Sequence, residues 1–95
     1  MTSALAIKVM RTKLGLTQAA FASLLGVGFV NVNRWENKRA EPSGFGAIAL
    51  FMLENIIDSN DSKDVVTKLR RAGGERHEVI RILGKFTKER FKAHE

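Results

Sequence analysis

Apolar residues recur along this chain at three- and four-residue steps, the spacing of one face of a helix. Ala4, Ile7, Met10 and Leu14, with Val9 flanking, predict a first helix that Gly15 ends. Thr17 is placed as the N-cap of a short second helix carrying Gln18, Phe21, Ala22 and Leu25, stopped by Gly26. The next stretch, Phe29-Val30-Asn31-Val32-Asn33-Arg34-Trp35, mixes apolar and polar residues without an evident rhythm, and a third helix is expected from Gly28 to Asn37. Asn37 and the pair Glu41-Pro42 then make a turn, with Ser43 as the N-cap of a fourth helix, Gly44 to Ile57. That helix is apolar nearly all round apart from Glu54 and Asn55. A polar joint from Asp58 to Ser62 leads to a fifth helix with Val65, Val66 and Leu69, closed by Gly73-Gly74. The sixth carries Val79, Ile80, Leu83, Phe86 and Phe91, with Gly84 as a point where it could break. Neither a repeat nor a convincing strand is found, so the predicted class is all-α.

Composition narrows the class of function. Ninety-five residues make one domain with an extension, and 44% hydrophobic content with a single proline is that of a chain that folds. There is no cysteine, which removes disulfides and thiolate zinc sites. The longest apolar run, Gly44 to Leu53, is about half of the roughly 20 residues that cross a bilayer, and Thr2-Ser3-Ala4 does not open a secretory signal. A cytoplasmic protein with no membrane partner is expected. Net charge is +6, which favours an acidic partner such as nucleic acid. Between Lys8 and Arg39 six bases face the single acid Glu36, whereas from Ala40 to Asp58 the only charges are Glu41, Glu54 and Asp58. The third predicted helix lies inside the basic block.

Two short helices crossing at a steep angle need a small residue on the first, a turn residue able to take positive φ, and apolar anchors on both. Ala22, Gly26 and the set Phe21, Leu25, Val27, Val32 and Trp35 supply all of these at the required spacing. With Leu16-Thr17-Gln18, Ala22, Leu25-Gly26-Val27, Val32, Trp35-Glu36 and Pro42, the chain resembles the helix-turn-helix of the Cro/CI or Xre family of DNA-binding proteins, over roughly Ile7 to Leu53. The resemblance implies a lambda-repressor-like bundle of four helices, here over residues 1–58, with a helical extension at 59–95 that could serve dimerisation. It departs from the family at Gly28, where serine or threonine is usual, and at Lys38, where glycine is frequent. The first departure suggests that a phosphate contact from a capping side chain is absent, though backbone amides at that helix start remain available to an anion.

On a helical wheel with Val32 and Trp35 inward, Val30, Asn33, Arg34 and Asn37 occupy the outer arc, bordered by Phe29 and Asn31. Arg34 can pair bidentately with guanine and asparagine with adenine, and Val30 or Phe29 can touch a thymine methyl. By resemblance, Gln18 binds phosphate and braces the groove-facing residues, while Gly28, Lys38, Arg39 and Lys13 are candidates for backbone contacts that position the protein without reading sequence. The resemblance also implies an ion pair between Arg11 and Glu36. Trp35 is expected in the core. His77 and His94 carry no metal-ligand spacing, and no catalytic constellation or cofactor motif is present, so neither an enzyme nor a metal or cofactor is expected.

Helix four offers an apolar stripe of Phe45, Ile48, Ala49, Met52 and Ile56, which leaves Leu50, Phe51, Leu53 and Ile57 as surplus. Helices five and six, a second subunit, or both must cover that surplus. The last two helices also carry Arg70, Arg71, Arg76, Arg81, Lys85 and Lys88, which admits a phosphate-contacting arm. Two functions from different classes fit: a transcriptional regulator, read as a repressor binding a near-palindromic operator on double-stranded DNA as a homodimer, and an antitoxin whose partner is a toxin protein.

Overall fold

A computed structural model describes residues 2–57 and 62–92, with side chains at 2–57 and 63–87. Its helices are α1 (Ala4–Lys13), α2 (Gln18–Leu25), α3 (Phe29–Glu36), α4 (Gly44–Ile56), α5 (Ser62–Ala72) and α6 (Arg76–Lys92), and no strand occurs among the described residues. The polar joint at 58–61, the side chain of Phe91 and all of His94 lie outside them.

Local chemistry accounts for the element ends. Ser3 and Thr17 each accept a backbone hydrogen bond at 3.1 Å, from Ala6 N and Ala20 N, so α1 and α2 start on side-chain caps. Gly26 closes α2 at φ 76°, and Val27 N then donates to Ala22 O at 3.0 Å, the return bond of a Schellman-type end. Ser43 stands at the start of α4 but makes no capping bond. Gly28 likewise starts α3 with none, since glycine has no side-chain acceptor.

One hydrophobic cluster runs through the molecule, from Ile7, Met10, Phe21, Leu25, Val32 and Trp35 to Leu50, Leu69, Leu83 and Phe86. The α5–α6 hairpin folds back onto α4 and α2 and covers part of the surplus apolar surface of α4. The buried stripe of α4 is Gly46, Ala49, Leu50, Leu53 and Ile56, which corrects the expected one. Gly46 explains the rotation. A Cβ there would lie 2.8 Å from Trp35 Cη2 and 3.0 Å from Cζ2, so the indole rests on bare backbone and turns that edge of α4 inward. Leu50 is therefore core rather than surplus, while Ile48 and Phe51 stand 54% and 58% exposed.

Two expectations for α6 are also corrected. The helix continues through Gly84, over which Met52 packs at 3.6 Å from where a Cβ would stand. Among its described side chains the buried ones are Val79, Ile82, Leu83 and Phe86, whereas Ile80, about 100° round the helix from Val79, is only half-buried.

Candidate nucleic-acid interface

The arrangement around α3 begins with two inward side chains. Val32 and Trp35 are buried, and this anchoring leaves Phe29, Val30, Asn31, Arg34 and Asn37 exposed on one continuous edge. The irregular pattern of the segment is thus one helix with a narrow apolar inner face. Asn33, on the flank, is half-buried.

That flank is held by a chain of hydrogen bonds that starts at the end of α3. Arg11 grips Glu36 with two donors, Nε to Oε2 at 2.8 Å and Nη2 to Oε1 at 2.9 Å, and its Nη1 donates to Leu16 O at 3.0 Å. Gln18 Nε2 donates to Glu36 Oε1 at 3.2 Å. Asn33 Nδ2 in turn donates to Gln18 Oε1 at 3.0 Å, and Asn37 Nδ2 donates to Asn33 O at 2.9 Å and Oδ1 at 3.3 Å. An ionised carboxylate can only accept, so it turns the amide nitrogen of Gln18 toward itself and the Gln18 oxygen toward Asn33. The orientation of each amide follows from the one before. Among the described residues no buried side-chain polar atom lacks a partner.

Hydrogen bonds from the Arg11 guanidinium hold the Glu36 carboxyl below its ordinary range, against a burial effect that pushes it up. The Gln18 bond and the charges of Arg11 and Lys8 add to the lowering. The Glu36 bonds raise Arg11 correspondingly.

The remaining predicted contacts sit around this frame. Gln18 is the first residue of α2 and half-buried, and Gly28 is exposed at the start of α3. Lys38 and Arg39 are exposed just past its end, where Arg39 N donates to Arg34 O at 2.8 Å. Lys38 has φ 59°, the left-handed region that costs a residue with a Cβ about 1 kcal/mol and that glycine enters freely. The frequent family glycine at this position has its explanation there. Sequence reasoning missed the Gln18–Glu36 and Asn33–Asn37 bonds; the four-residue step between the asparagines was the available signal for the second. Arg76, read only as part of a basic arm, turns out to donate from Nε to Gly26 O at 3.1 Å from fifty residues away.

A helix-turn-helix family model matches residues 7–50. This segment belongs to the Cro/CI-type helix-turn-helix family. No curated protein and no solved structure matches the chain. The Cro/CI-type, or Xre, match over this segment supports a DNA-binding transcription regulator, and the all-helical bundle agrees with that family. In Cro/CI terms α2 and α3 are the two helices of the motif, and the exposed edge of α3 is the surface it turns outward. Among the described residues no three His, Cys, Asp or Glu side chains gather as metal ligands. His77 is fully exposed, 3.2 Å from Glu75. No described helix is long and apolar enough to cross a membrane.

Proposed function

We propose that this Xre-type regulator is a cytoplasmic repressor that binds a near-palindromic operator as a dimer, with α3 of each subunit in the major groove. The observation that carries the reading is the split of α3. Its inner face and flank are tied down by Trp35 and the Arg11–Glu36–Gln18–Asn33 chain, so its exposed edge reaches DNA as a rigid surface. Arg34 reads a guanine, Asn31, Asn33 or Asn37 an adenine, and Val30 and Phe29 contact thymine methyls. Gln18, Lys38, Arg39 and the amides at Gly28 hold phosphates. Where its operator overlaps a promoter, occupancy by the dimer excludes other proteins, which is the repressor reading.

Ile48 and Phe51 supply the apolar patch for the two-fold contact, which sets the recognition helices about 34 Å apart, one helical turn of DNA. Selection of sites from random DNA should return an inverted repeat, and sedimentation should show a dimer at micromolar concentration that Phe51→Asp converts to monomer. Leu50 cannot serve in that test because its burial makes Leu50→Asp a folding defect. A strictly monomeric wild type that selects a single half-site would overturn the dimeric repressor. It would favour the antitoxin reading, in which a toxin protein covers the same patch.

A further inference from the structure

The start of α3 lacks the anchors that secure its end. Gly28 provides no capping side chain, and the three-residue turn before it, Gly26-Val27-Gly28, contains two glycines, the residues with most conformational freedom to lose. The trajectory of α3 out of that turn therefore needs support from elsewhere in the fold.

The support stands in the α5–α6 turn. A Cβ added to Gly26 would overlap the carbonyl oxygen of Gly74, and one added to Gly74 would lie 2.9 Å from Ser23 O, so the two turns meet backbone against backbone. Arg76, the first residue of α6, reaches across this contact. Its Nε donates to Gly26 O at 3.1 Å, and its guanidinium carbon lies 4.7 Å from the centroid of the Phe45 ring in the first turn of α4. Phe45 adjoins Gly46, on which Trp35 of α3 rests. One side chain thus ties the turn before α3 to the helix that holds its core face.

We propose that Arg76 is a positioning residue for DNA binding: it straps the Gly26 turn to α4 and so sets the angle at which α3 meets the groove. The proposal rests on the DNA-reading function above. A competing role is a direct phosphate contact by the same guanidinium, which salt dependence separates.

The full-length chain is tested with Arg76→Ala and with Arg76→Gln, which keeps an N–H donor but loses the charge. Both are measured against the operator selected by wild type, well below the melting temperature. Arg76→Ala should weaken operator binding about five- to tenfold, the scale of one lost hydrogen bond to the backbone, with the slope of log affinity against log salt unchanged. The Val27 amide, which bonds Ala22 O across the same turn, should exchange faster, and Arg76→Gln, which can keep the Gly26 bond but not the Phe45 contact, should recover part of both effects. Unchanged affinity and exchange in Arg76→Ala would overturn the strap. A salt slope reduced by about one, with Arg76→Gln as weak as Arg76→Ala, would overturn it in favour of a phosphate contact. Wild type that selects no duplex would remove the DNA-reading function and the role of Arg76 together, whereas equal binding by wild type and Arg76→Ala removes the strap alone.

Discussion

The α1–α4 bundle and the α5–α6 hairpin each contain an arginine–glutamate pair, and the shorter contact is the weaker bond. In the hairpin Arg81 Nη2 lies 2.6 Å from Glu78 Oε2, with the side chains 62% and 45% exposed. In the bundle, Arg11 of α1 and Glu36 of α3 are 2.8 Å apart and only 14% and 5% exposed. Water competes for the first pair and screens it, so its hydrogen bonds largely replace equally good ones to solvent. The second pair is shielded, joins two helices far apart in sequence and shares its carboxylate with Gln18, so loss of either partner strands a charge. Distance alone does not rank ion pairs; surroundings do. The two regions also differ in kind: polar side chains organise the flank of α3, whereas the hairpin is held to the rest of the molecule mainly through Val65, Leu69, Val79, Leu83 and Phe86.

The largest effect should come from breaking the apolar side of this contrast. Leu83→Ala in the middle of the hairpin should cost about 2 to 5 kcal/mol and lower a single cooperative transition, because its side chain is fully buried in the shared cluster. Two separate transitions in denaturant would show the hairpin to be an appendage instead.

Arg11→Ala attacks the polar side and should destabilise by about 1 to 4 kcal/mol, since Glu36 is left buried without its main partner. Acid should show the same linkage. The folded-state Glu36 carboxyl lies below its ordinary value of 4.5, so the stability it contributes is present above that pH and is lost as pH falls through the lower folded value. Denaturation midpoints followed below about pH 4.5 should fall more steeply for wild type than for Glu36→Gln. Parallel curves would mean that Glu36 is not held charged by Arg11.

Arg34→Ala sharpens the contrast between the bonded flank of α3 and its open edge. Melting should be nearly unchanged, while operator affinity falls by about 1 to 3 kcal/mol per half-site with relaxed preference at one base position. Lys38→Ala should instead weaken all duplexes alike and reduce the salt slope by about one. Titrations on operator and scrambled duplex at two salt concentrations separate these results, and equal losses on both duplexes would demote Arg34 to a phosphate contact.

Gly28→Ser should raise stability by about 0.5 to 1 kcal/mol. The backbone there, at φ −76° and ψ 143°, suits a capping residue, and a Cβ meets only Asn31 Nδ2 at an ordinary 3.5 Å. A lower melting temperature would show that the glycine is needed for some other reason. At the small end, Arg81→Ala should leave the thermal midpoint where it is, because the pair it breaks is open to water.

Much of the site could be read from spacing. Val32 and Trp35 lie on one side of a helix whatever surrounds them, so the exposure of Val30, Arg34 and Asn37 followed from periodicity, and both ends of α2 and the start of α3 followed from Thr17, Gly26 and Gly28. The Arg11–Glu36 pair came from family resemblance rather than from pattern. The stripe of α4 was misplaced because a helix apolar on almost every side carries no signal of which side faces inward. Gly46 against Trp35 decided that, and a contact between residues on different helices has no periodicity to betray it.

By itself the sequence determined the all-helical class, the places where chain direction changes and the outward edge of α3, because caps, turn glycines and helical period act over a few residues. Only the tertiary structure decided which face of α4 is buried, that α6 runs unbroken past Gly84, that a run of amides extends from Glu36 to Asn37, and that Arg76 reaches the Gly26 turn. These depend on surfaces meeting across tens of residues, where burial and shape select one arrangement among several that the local pattern allows equally.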